Sequence, residues 1–114
     1  MHFWRMEQLW TAAAGLPVKK VRTSDLPGFD EVRWFGGPLE VRPTCRTVAE
    51  HARDIYEADL GYPIILSPAG DVLDGMHRIC KAYVQGIDKI DAVQLAKMPA
   101  IYGRVLPNGE EAEP

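Results

Sequence analysis

Tyr62-Pro63-Ile64-Ile65-Leu66-Ser67-Pro68-Ala69-Gly70-Asp71-Val72-Leu73-Asp74-Gly75-Met76-His77-Arg78 is the stretch on which the reading of the fold turns. The uninterrupted apolar run Ile64-Ile65-Leu66 suits a strand covered on both faces, and therefore a central one. Pro68 and Gly70 supply a tight turn, and Val72-Leu73 is the return strand. A helix follows from Gly75 to Gln85, with Met76, Ile79, Cys80 and Tyr83 on one face and Gly86 at its stop. The start of any helix carries unpaired N–H groups and a partial positive charge, and here His77 and Arg78 stand in the first turn. Backbone, dipole and side chains together predict an anion site, in the first instance for phosphate.

Upstream, Val48 to Leu60 reads as a helix, with Thr47 and Glu50 at capping-box spacing and Gly61 at the stop. Val48, Ala52, Ile55 and Tyr56 cluster on its wheel, His51 lies at the edge, and Asp59 falls near the centre of the apolar stripe, where an acid needs a partner or a role. Phe29 to Phe35 fits a helical turn or a strand equally well. Val18 to Arg22 is a short strand whose alternation Lys19 and Lys20 interrupt, and Thr23 to Gly28 is turn chemistry. His2 to Ala14 places Phe3, Met6, Leu9, Trp10 and Ala13 on one side at helical spacing, with Trp4 off that stripe as a partly covered surface aromatic. Downstream, Ile90 to Leu95 is a further strand. The expected fold class is α+β: one domain over residues 1–114, built as a small mixed sheet flanked by helices, with 98–114 a partly extended or disordered tail.

A chain of 114 residues has room for one core and one site. Its net charge of −3 argues against direct binding to the DNA backbone. Met1 to Trp10 has no secretory pattern, and no apolar run reaches the length of a membrane span. Cys45 and Cys80 are too few for a disulfide framework and lack metal-type spacing, so cytoplasmic residence with reduced thiols is the default.

Asp74 and His77 are candidate catalytic groups. The candidate phosphate-binding residues are Gly75, Met76, His77 and Arg78. Gly75 lets a ligand approach the backbone, Asp74 can cap the helix or hold a metal or hydroxyl, and Arg78 can fork onto phosphate oxygens. Cys45, between Arg42 and Arg46, has surroundings that depress a thiol pKa, although a packed, unreactive thiol is the simpler reading. Cys80 reads as core filling. His51 reads as a boundary residue, since no second metal ligand has a fixed spacing to it.

Pro63-Ile64-Ile65-Leu66, then Gly70, then Leu73-Asp74-Gly75-Met76-His77-Arg78, then Lys81-Ala82 and Gly86, resembles the core motif of the ParB/sulfiredoxin superfamily. The resemblance covers about a third of the chain and implies binding of ATP, ADP or CTP, with Mg²⁺, and phosphotransfer or hydrolysis at the phosphates. It also implies a second anion contact from Thr44, Arg46 and Thr47 at the start of the preceding helix, and, by likeness to the superfamily's serine kinases, a catalytic base at Glu31 or Asp30. Met76 stands where sulfiredoxins carry their reactive cysteine, so sulfiredoxin chemistry is not expected at that position. A non-catalytic regulatory or protein-interaction module of the same type, within a DNA-associated system, is the alternative. A homodimer is left open.

Overall fold

The computed structural model describes residues 2–108 and 110–113, so Met1, Gly109 and Pro114 lie outside the described residues. In chain order the elements are β1 (His2–Phe3), α1 (Met6–Ala13), β2 (Val18–Arg22), a 3₁₀ turn (Thr23–Asp25), α2 (Cys45–Glu57), β3 (Ile64–Leu66), β4 (Val72–Asp74), α3 (Met76–Val84), β5 (Lys89–Gln94), β6 (Gly103–Val105) and β7 (Glu111–Ala112). The fold class is α+β.

β2, β5, β3 and β4 form a four-stranded mixed sheet in that order. β3 runs parallel to β5 and antiparallel to β4, and β2 runs antiparallel to β5. The apolar run that marked β3 as central is buried throughout, because each side of the strand serves a different core. Ile64 and Leu66 join Val72, Met76, Ile79, Ala82, Ile90 and Ala92 beneath α3. Ile65 turns the other way, onto Leu9 of α1 and Leu95. Alternation along a strand makes this division automatic once helices lie on both faces.

α2 packs against α3 and has no buried residue of its own. Lys81 of α3 donates to the carbonyls of Tyr56 (2.8 Å) and Ala58 (2.7 Å), satisfying groups that the end of α2 leaves unpaired. The helix lies three residues earlier than its Thr47–Glu50 signal suggests. Thr44 is the N-cap and accepts from the Thr47 N–H at 3.2 Å, while the Thr47 hydroxyl donates to the Arg42 carbonyl at 2.7 Å. Asp59 is therefore off the helix altogether: it accepts from the Gly61 N–H at 2.8 Å in the turn toward β3, which removes the anomaly of an acid in an apolar stripe. The stripe itself is thinly covered, with Tyr56 81% exposed.

The first helix is shorter than its apolar spacing predicts. Phe3 belongs to β1, which pairs with β6, and β6 pairs with β7, forming a second small antiparallel sheet. Residues 98–114, read as a partly extended or disordered tail, thus contribute two strands. The Trp4 indole donates to the Pro99 carbonyl at 2.9 Å, and Arg5 pairs with Glu111 at 2.9 Å, so the two ends of the chain hold each other. Among the described residues no helix is long and apolar enough to cross a membrane.

Candidate functional site

The first turn of α3 is set by its N-cap, Gly75, whose φ of 119° lies in the left-handed region that favours glycine. A side chain here would also collide with β3, since a Cβ would fall 2.4 Å from Ile64 Cγ2. Gly75 is thus required by the backbone itself. Asp74 does not cap the helix, for no side chain accepts from its first turn. Its carboxylate instead pairs with the Arg78 guanidinium at 3.0 Å, one turn on, and accepts from the Trp10 indole at 3.2 Å. Arg78 donates in addition to the carbonyls of Tyr62 (3.2 Å) and Pro63 (2.9 Å). Both charged residues of the motif therefore tie α3 to the start of β3 and to α1.

These residues border a groove of about 700 Å³, walled by Trp10, Tyr62, Ile65 and Val93 and carrying Asp54, Asp59, Asp74, His77 and Arg78. Gly75 opens onto the same space. The Met76 side chain does not: it is 6% exposed and part of the core under α3. Thr44, Arg46 and Thr47 stand at the start of α2 and are not among the groove's walls, and neither is Glu31, exposed in the turn after Gly28. Among the sequence candidates the groove thus gathers Asp74, Gly75, His77 and Arg78.

His77 has a second set of neighbours. Its Nε2 lies 2.9 Å from His51 Nδ1, so one imidazole donates and the other accepts, and 4.0 Å from an oxygen of Asp54. The two rings are nearly coplanar, at 17°, and Trp34 stacks over both with centroid separations of 4.4 Å. Phe35 meets the His51 ring edge-on. Trp34 arrives on the loop after the 3₁₀ turn, which is neither helix nor strand at 29–35 and which Arg33 ties to β4 by donating to the Val72 carbonyl at 2.7 Å. Burial pushes the His77 pKa below its ordinary value, with His51 and Arg33 acting in the same direction and the Asp54 carboxylate opposing them.

His51, Asp54 and Trp34 are the residues that sequence reasoning did not assign to the site. His51 and Asp54 are three apart on one helix and so share a face, a spacing visible in the sequence. The nearness of α2 to the start of α3 is not. Cys45 is exposed at the first position of α2, not packed, and Cys80 is half-buried with its thiol pKa pushed up by burial. Comparison with protein-family models, with curated proteins and with solved structures finds no match.

Proposed function

We propose that the chain is a nucleotide-binding domain of ParB/sulfiredoxin-like type, which takes the phosphates of ATP, ADP or CTP at the start of α3. The observation that carries this reading is the groove of about 700 Å³ opening on a helix start that no side chain caps. The unpaired N–H groups of a helix start that borders a cavity are suited to phosphate oxygens. Trp10 and Tyr62, 56% and 67% exposed on the groove, offer flat surfaces for a base.

The charge balance sets a condition. Asp54, Asp59 and Asp74 line the groove with one arginine, Arg78, already paired, while Arg53 meets Asp54 at 3.7 Å from outside the lining, so a polyphosphate enters with a divalent cation that the carboxylates help to hold. Mg²⁺ fits this requirement. Because Asp74 and Arg78 are engaged with each other, the reading extends to binding and does not require turnover; a regulatory module that binds without hydrolysis is the second form of the same proposal. Calorimetry with ATP, ADP and CTP, each with and without Mg²⁺, tests it. Heat with at least one nucleotide, dependent on Mg²⁺, is expected, and no heat with any of them overturns it. Phosphate release in the same samples separates the two forms.

A further inference from the structure

We infer that His51, Asp54 and His77 form a binding site for one late first-row divalent metal ion, of the Zn²⁺ or Co²⁺ type, at the edge of the groove. The ligand atoms of the three residues all lie within 4.8 Å of one another. Two imidazoles on one tetrahedral ion, with metal–nitrogen bonds of about 2.0–2.1 Å, place their ring centres roughly 5 Å apart. The His51 and His77 centres are 5.2 Å apart, so the rings need only pivot in the plane they share for their nitrogens to converge on one ion. The ion then takes the place of the proton the two rings share. Asp54, at 4.0 Å from His77 Nε2, closes the set by a side-chain rotation that brings its oxygen roughly 1 Å nearer, to the 3–3.4 Å that ligands of one such ion keep.

The surroundings fit this assignment. Imidazole with a carboxylate suits zinc and its neighbours, whereas Mg²⁺ prefers an all-oxygen shell, so the site is distinct in chemistry from the cation that accompanies a nucleotide. Trp34 lies flat across both imidazoles and fixes the plane in which they pivot. His77 and Asp54 line the groove, so three protein ligands leave a coordination position facing that space. Two positive charges oppose a cation here: Arg33, whose guanidinium is held by the Val72 carbonyl, and Arg53, exposed on α2 with its Nε 3.7 Å from an Asp54 oxygen, a pairing that the ion would displace.

The test uses the full chain, stripped with a chelator and free of nucleotide, so that a failure leaves the nucleotide reading untouched. Titration with Zn²⁺ by calorimetry is expected to give one equivalent, and Co²⁺ is expected to give a visible absorption band and to quench tryptophan emission, because Trp34 stacks on the ligand rings. His51→Ala, Asp54→Asn and His77→Ala, each checked for fold by circular dichroism, are expected to weaken Co²⁺ binding at least tenfold. Trp34→Phe is expected to keep the one-equivalent binding and lose most of the quench, and Cys45→Ser to change neither. Should His77→Ala fail to fold, His51→Ala on the more open helix decides the matter. Absence of binding by the natural chain, or binding undiminished in His51→Ala and Asp54→Asn, overturns the inference.

Discussion

Asp74 and Arg78, one turn apart where β4 passes into α3, form an ion pair at 3.0 Å with side chains only 22% and 16% exposed. The same guanidinium reaches two carbonyls ahead of β3. Arg78→Ala therefore strands a half-buried carboxylate and two acceptors, and is expected to cost about 2 to 3 kcal/mol of stability. Arg78→Lys recovers only part of this, since an ammonium cannot fork to three acceptors in fixed directions. Urea denaturation of the two variants measures both. A simple loss of ligand affinity at unchanged stability would show that the pairing does not hold the fold.

Gly75→Ala meets two penalties at once, a left-handed backbone and a contact at 2.4 Å with Ile64. The variant is expected to lose about 2 to 4 kcal/mol, with the urea midpoint falling accordingly. Ile64 is fully buried and part of β3, so it cannot move aside without opening the core.

The lowered pKa of His77 gives a pH dependence with a definite sign. Below about 6.5, the ordinary imidazole value, the unfolded chain takes up a proton that the folded chain resists, and unfolding is favoured. In metal-free protein the stability contributed here is thus complete above that pH, declines as pH falls below it, and levels off once the lower folded pKa is passed. His77→Gln should show a flatter profile in that window. Urea midpoints at pH 7.5 and 5.5 for the two chains make the comparison, and parallel profiles would exclude the effect.

The two thiols should differ in reactivity. Cys45 is exposed, while Cys80 is half-buried with its pKa raised, which keeps it as the less reactive thiol. Brief iodoacetamide treatment at pH 8 is expected to leave one adduct, on Cys45, and to add the second only in urea. Peptide mass spectrometry reads this directly.

The sequence was most legible where one residue pattern answered to one cause. Ile64, Ile65 and Leu66 could all be apolar only if both faces of their strand were covered, and they are. Gly70 marks a turn because the backbone there takes positive φ, and Gly75, which reads in the sequence as room for a ligand, takes positive φ as well. Boundaries were harder. The α2 start at Thr44 was displaced to Thr47 because two threonines three apart each offer a capping hydroxyl, and only packing chooses between them. Asp59 looked anomalous solely because the helix was carried past Ala58. For the site, the motif from Asp74 to Arg78 was visible, but not that Asp74 and Arg78 would consume each other's charge. Trp34 left no trace, since an aromatic in an irregular loop has no period to betray what it covers.

β2 presents an outer edge of the four-stranded sheet, and its two lysines, which blurred its pattern in the sequence, are the residues that finish that edge. Lys19 reaches across to Gln94 and Lys20 to Asp91, pinning the strand to β5 while both charges stay in water. An incoming strand from another molecule would set its own side chains beside a charged lysine on each face of β2, an arrangement that edge lysines disfavour. The irregularity that makes β2 a poor strand on paper thus serves as its guard against self-assembly, and neutralising both lysines would turn a blunt margin into an adhesive one.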